Sequence, residues 1–308
     1  MPQKPFRITG RFVLDAFRAI LTWKARINLT SRVAPGLVFA VLLSMIANVG
    51  AAPSAEGLTI AWTNNHLTVA GPKLPGNTLD IWYLEAFCRS NSTHQIWGKT
   101  TIPHKTELVS ASPTQLRFRT TVSTSVEMLH QVTARRDELD FTFEIKNLSA
   151  APVDLEWFQP ACIRVDRFTG KNQNTFIARS FIFTEQGLTT LDKTRRHEEA
   201  IYHGGQVYVP SGINLSNVNP RPLSETRPVN GLIGCFSADN QYLFATASDK
   251  THELFEGINV CLHSDPHVGG LGPHETKKIR SKVYIMFNDP QELLKKYRRD
   301  FPSASQKE

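Results

Sequence analysis

The densest group of chemically capable residues in the chain is Cys261-Leu262-His263-Ser264-Asp265-Pro266-His267. Side chains alternate along an extended segment, so His263, Asp265 and His267 would share one face. Two imidazoles and a carboxylate are ligand types for a divalent ion. Either histidine also titrates close enough to neutrality to act as general acid or base. His252 and Glu256 lie just upstream, on a stretch that would neighbour this one. Pro266 and the pair Gly269-Gly270 argue instead for a polar loop capping a strand end. A second group runs from Arg196-His197-Glu198-Glu199 to Tyr202-His203-Gly204-Gly205. A tyrosine can serve as acid or base in polysaccharide cleavage, and glycine lets backbone approach a ligand closely. The competing reading is an exposed loop. A third group is Trp157-Phe158-Gln159-Pro160, followed by Arg164 and Asp166. Aromatic faces flanked by amides and charges suit sugar rings. Alternatively Trp157 continues an inward set begun by Val153 and Leu155. No G-x-S-x-G elbow and no H-E-x-x-H occurs, which leaves a serine hydrolase or a zincin without support.

The elements that must carry these residues read as strands. Leu139, Phe141, Phe143 and Ile145 alternate with Asp140, Thr142, Glu144 and Lys146, the pattern of an antiparallel strand wet on one face. Leu116 and Phe118 alternate with Arg117 and Arg119 in the same way. Val153, Leu155 and Trp157 are expected to form another strand. Further strands are expected over 58–62, 66–69, 79–84, 126–134, 162–165, 176–183, 206–209, 232–237, 242–248, 258–262 and 278–286. Asn64-Asn65 and Ala238-Asp239-Asn240 fit hairpin turns. Many short strands with regular turns, and no βαβ alternation or nucleotide-binding glycine motif, predict an all-β fold. The expected architecture is one large antiparallel β-sandwich over 52–308, closed by a helix over 289–301. In that helix Asp289 is the N-cap, Pro290 follows it, and Glu292 completes a capping box. Leu294, Tyr297 and Phe301 would form its apolar stripe. Residues 169–174 and 192–228 break the strand pattern and read as long polar loops.

The formal charge is +7, but residues 1–51 carry seven bases and one acid. The rest holds 28 bases against 27 acids, which excludes a phosphate-gripping surface and hence nucleic acid as partner. Residues 1–51 read as a secretory leader: a basic stretch, an apolar run from Val33 to Ala47, and small residues before a cut after Ala51. The run is short of the roughly 20 residues that span a bilayer. An uncleaved N-terminal anchor is the alternative. Cys88, Cys162, Cys235 and Cys261 are widely spaced, with no C-x-x-C pair for a zinc knuckle. Export would permit disulfides, and buried free thiols fit equally well. No cofactor is expected.

The stretch Glu138–Pro160 resembles the galactose-mutarotase-like supersandwich domains. These often show a strand of the type L-x-F-x-F-x-I, then N-x-S-x-x-P-V-x-L, then a strand ending near a proline. Here those are Leu139–Ile145, Asn147–Leu155 and Pro160. Gly272–Arg280, Val283–Met286 and the final helix are similar to the end of a group of exported bacterial β-sandwich proteins. Epimerases of the mutarotase group usually carry a catalytic histidine before an aromatic pair, where this chain reads Trp157-Phe158-Gln159-Pro160. The resemblance therefore implies the fold and a carbohydrate ligand, and no catalytic residue is carried over from it. The function expected is an exported carbohydrate-binding or carbohydrate-active sandwich, periplasmic or extracellular. Trp157, Gln159, Arg164, His203 and Asp265 would line the ligand site; His263, His267 and Tyr202 would be acid–base candidates. Two readings stay open beside it. One is a non-catalytic module of the cell envelope, and the other a metal-dependent enzyme using His263, Asp265 and His267.

Overall fold

The computed structural model describes residues 57–170 and 172–302. The expected leader and its cut after Ala51 lie outside them. The described residues form two large antiparallel sheets packed face to face. The first sheet has seven strands. Its edge is the hairpin β1 (Thr59–Thr63) and β2 (His66–Ala70). Next come β3 (Thr78–Cys88), β8 (Trp157–Arg164), β15 (Cys261–Pro266), β14 (Thr251–Gly257) and β11 (Gly205–Tyr208). The second has nine strands. Their order is β10 (Gly187–Thr190), β9 (Ser180–Thr184), β12 (Ile233–Phe236), β13 (Tyr242–Ser248), β16 (Thr276–Phe287), β7 (Glu138–Asn147), β6 (Val126–Ala134), β5 (Gln115–Val122) and β4 (His104–Ser112).

The alternation seen in sequence fills the space between the sheets. Leu139, Phe141, Phe143 and Ile145 are buried while Thr142, Glu144 and Lys146 are exposed. They meet Ile81, Tyr83, Phe87, Phe158, Ile163, Leu254 and Leu262 of the first sheet in one core. The β1–β2 turn is Asn64-Asn65, with φ of 50° and 63°. Asparagine tolerates the left-handed region, and two such residues match the twist of a hairpin.

The C-terminal helix, Pro290–Asp300, has the expected cap, with the Asp289 side chain accepting from the backbone N–H of Gln291 and Glu292, but Asp289 N donates to Phe287 O and Glu292 faces Lys295, so Glu292 does not complete a capping box. It packs on the outer face of the nine-stranded sheet, against Phe181, Phe183, Leu243 and Tyr284. Tyr297 and Phe301 are buried as expected, while at the first position Leu293 is buried and Leu294 only half-buried against the same cluster. No helix among the described residues is long and apolar enough to cross a membrane.

Three expectations are corrected. The strand expected over 176–183 is a helix, Gln173–Arg179, followed by β9. The Asn172 side chain caps it by accepting from Asn174 N and Thr175 N, and tertiary burial of Phe176 and Ile177 does the rest. The strand expected over 258–262 is mostly a turn: β14 ends at Gly257, residues 258–260 turn, and β15 begins at Cys261. Val153 makes only a bridge to Leu271, and β8 starts at Trp157. Strand β4 escaped notice because it is an edge strand, exposed along nearly its whole length and polar accordingly.

Candidate ligand site on the outer face of the seven-stranded sheet

Register decides which side chains leave the core. Ile163 pairs with Ile81 on one side and with Leu262 on the other, and these point inward. Alternation then sends their neighbours to the outer face. Cys162 and Arg164 of β8, Asp80 and Trp82 of β3, Cys261, His263 and Asp265 of β15, and Glu253 of β14 all lie there. Trp82 stands opposite Cys162, Asp80 opposite Arg164, and Glu253 opposite Asp265. Despite Pro266, β15 is regular enough for His263 and Asp265 to share a face.

One zone of this face is open. Trp82 is 42% exposed. The Arg164 guanidinium lies 5.2 Å from its ring centroid, and the His66 ring stands edge-on at 5.5 Å. These groups, with Asp80, Asp166, Arg167 and Asn259, line a depression of about 430 Å³. Arg164 Nη1 donates to the Asn259 carbonyl at 2.9 Å, and Arg167 lies 3.7 Å from Asp80. A second depression, beside the helix Gln173–Arg179, has its Arg179 already engaged with Ser237 O and Asn240 Oδ1.

The other zone is covered by the segment leading through residues 215–219. Asn219 N donates to Glu253 Oε2 at 2.9 Å, Ser92 Oγ to Val218 O at 2.7 Å, and Asn217 Nδ2 to Glu156 Oε1 at 2.6 Å. Val218 packs with Val207, Val209 and Phe255. Beneath this cover Gln159, His252, Glu253, His263 and Asp265 are all buried. Gln159 Nε2 lies 3.3 Å from His263 Nδ1 and donates to Asp265 Oδ2 at 3.4 Å. His263 Nδ1 and Asp265 Oδ2 are 3.7 Å apart. Both ring nitrogens of His252, and Asn219 Oδ1, Glu253 Oε1, His263 Nε2 and Asp265 Oδ1, have no hydrogen-bond partner within the protein. Buried polar groups are nearly always paired, so this concentration of exceptions singles the cluster out as a candidate site. Burial pushes the Asp265 carboxyl up to about 6, against the pull of His263. Burial also disfavours charge on His263, but Cys162 and Asp265 beside it outweigh that and lift the imidazole well above its usual value.

Of the residues expected to line a site, Gln159, His263 and Asp265 come together, and Arg164 borders the open depression. Trp157 is fully buried and stacked on His252 at 5.4 Å, so its face is not a platform for a sugar. It also does not continue the inward set: Leu155 joins the main core, while Trp157 packs with Ala86 and Cys88 on the other side. His267 turns to Glu156, 3.3 Å from its Oε1. His263, Asp265 and His267 therefore do not close on one point. Among the described residues, the ligand atoms that do lie within 4.8 Å of one another are those of Cys162, Cys261 and His263. Tyr202 is 84% exposed and His203 pairs with Glu199 at 3.5 Å on the same turn; neither reaches the cluster. Glu256 faces the opposite side of β14, where Arg196 Nη1 meets its Oε2 at 2.5 Å.

Trp82 was missed, although a signal for it existed. Leu79, Ile81 and Tyr83 alternate, which leaves Asp80 and an aromatic ring on the wet side. The closeness of the Cys162 and Cys261 sulfurs had no such signal, because 98 residues separate them in the sequence. All four cysteines are free and buried.

No protein-family model matches the chain, and no curated protein matches it either. Among solved structures the fold is similar to galactose mutarotase-like sandwiches. The aldose epimerase homologue of C. elegans is 11% identical, covering 76% of this chain and 97% of its own, with a TM-score of 0.44. The galactose mutarotase related enzyme of Lactobacillus acidophilus is 10% identical, covering 74% and 97%, with a TM-score of 0.41. An alpha-mannosidase of Enterococcus faecalis is 10% identical over 81% of this chain and 30% of its own, with a TM-score of 0.40. Likeness at this level assigns no activity.

Proposed function

We propose that the chain is an exported carbohydrate-binding or carbohydrate-active sandwich whose ligand site is the open zone of the outer face. The observation that carries this is Trp82, solvent-exposed on a strand and bordered by His66, Asp80, Arg164, Asp166 and Asn259. A sugar ring needs an apolar face to stack on and polar groups at its edge to take its hydroxyls. The depression supplies both. In a catalytic form, Asp265 and His263 are the acid–base pair, reached when the cover formed by residues 215–219 lifts.

The non-catalytic reading is favoured by one observation of its own: His263 is 1% exposed and Asp265 0%. One experiment separates the two. The full chain is incubated with a panel of oligosaccharides and polysaccharides, binding is measured by calorimetry and products by mass spectrometry. Binding should weaken roughly 10-fold or more in Trp82→Ala and in Arg164→Ala. Products lost in His263→Ala support the enzyme; binding without product supports the module. A folded protein that binds none of the panel refutes the carbohydrate reading.

A further inference from the structure

We propose that Cys162, Cys261 and His263 form a binding site for a thiophilic metal ion, zinc(II) in its simplest form, with Asp265 and Gln159 holding the imidazole in place. Strands β8 and β15 are hydrogen-bonded neighbours, and their register carries all three side chains to the outer face. The two sulfurs and a ring nitrogen lie within 4.8 Å of one another, and all three residues are buried. Two thiolates and an imidazole are the ligand chemistry of zinc and copper(I), and not that of calcium or magnesium.

Two further observations belong to the site. Nδ1 of His263 is held between Gln159 and Asp265, while Nε2 has no hydrogen-bond partner within the protein. A ligating histidine usually has its other nitrogen facing a carboxylate; here Asp265 Oδ2 lies 3.7 Å from Nδ1, and a proton directed to it from Nδ1 leaves the Nε2 lone pair for the metal. Gly257 stands opposite Cys261, and a Cβ there would come within 2.5 Å of Cys261 Sγ. The sulfur therefore occupies room that only glycine leaves. Binding releases to solvent one proton from each thiol and the extra proton carried by the imidazole, which then binds through its neutral nitrogen. Three protein ligands leave the fourth position of a tetrahedral ion free. Trp82 stands opposite Cys162, so the ion lies beside the open depression. The metal claim does not depend on sugar binding.

The test uses the full chain, reduced and freed of metal by a chelator, then titrated with zinc against a chromophoric competitor. The expected result is one zinc per chain with release of the ligands' protons. Cobalt(II) in place of zinc should give a thiolate charge-transfer band. Cys162→Ser and Cys261→Ser should lose stoichiometric uptake and that band, while Cys235→Ala, altered in the core between the sheets, keeps both. Asp265→Asn should weaken binding roughly 10-fold. Gly257→Ala, which removes no ligand, should also weaken it. Near-ultraviolet circular dichroism and melting of the metal-free variants show whether each is folded. Uptake unchanged in the folded serine variants overturns the site. So does failure of the reduced parent to take up zinc, or a Cys162–Cys261 disulfide in the chain as isolated.

Discussion

Tyr83, His130 and Thr120 form a short hydrogen-bonded chain inside the core. The Tyr83 hydroxyl lies 2.6 Å from His130 Nδ1 and the Thr120 hydroxyl 2.9 Å from Nε2. Both ring nitrogens are occupied, and no carboxylate is among these partners. Burial lowers the His130 pKa from 6.5 to about 3. Between those values the unfolded chain holds a proton that the folded chain refuses. The stabilisation is thus present above about pH 6.5 and is lost as pH falls toward 3, by at most ~1.4 kcal/mol per pH unit. Urea unfolding of the parent at a series of pH values should show this slope. In His130→Phe the share due to this proton should vanish, and identical slopes in the two proteins would refute the assignment. The same scale explains what the sequence could show of the site. His263 and Asp265 were visible as a pair because strand periodicity needs no partner. Trp157 could not be placed, because the bulge between Tyr83 and Ala86 in the neighbouring strand changes the register where it sits.

Among elements, the C-terminal helix was the most legible, since its cap, its proline and its stripe are local signals. Asp289→Ala removes the side chain that accepts from Gln291 N and Glu292 N and should cost about 1 kcal/mol, read from denaturant melts. The segment from 192 to 228 was the least legible. Its fixings reach well beyond local sequence: Arg196 to Glu256 and Asn219 to Glu253 outside the segment, and Gln206 to the Pro222 carbonyl across it. The Arg196–Glu256 pair is almost wholly removed from water, with side chains 17% and 0% exposed. Breaking it by Arg196→Ala leaves a buried carboxylate without a counter-charge, held only by Gln173 Nε2, and should destabilise by about 3 kcal/mol. Replacing both partners with Met should cost less than the single change. Equal losses in the two variants would show that the pair is not what fixes this segment.

At the scale of the molecule, alternation and turns revealed two sheets, yet not which strand lies beside which. Strand β8 is central to the first sheet, paired with β3 on one side and β15 on the other. Strand β16 similarly joins β13 to β7. Such partners are chosen by packing across the whole core, and local sequence does not encode them.

That strand order also sets a timetable. Neither sheet can be completed until its late strand, β15 or β16, has been made, since each bridges segments that otherwise have no common neighbour. Pairings so far apart in sequence make folding slow, in the millisecond-to-second range typical of sandwiches or beyond it, which stopped-flow refolding would measure. An emerging chain lacking its last few dozen residues has no complete sheet to close around. Under the export proposed above such a delay would be useful, because a chain that stays open until synthesis ends can still be threaded through a narrow channel.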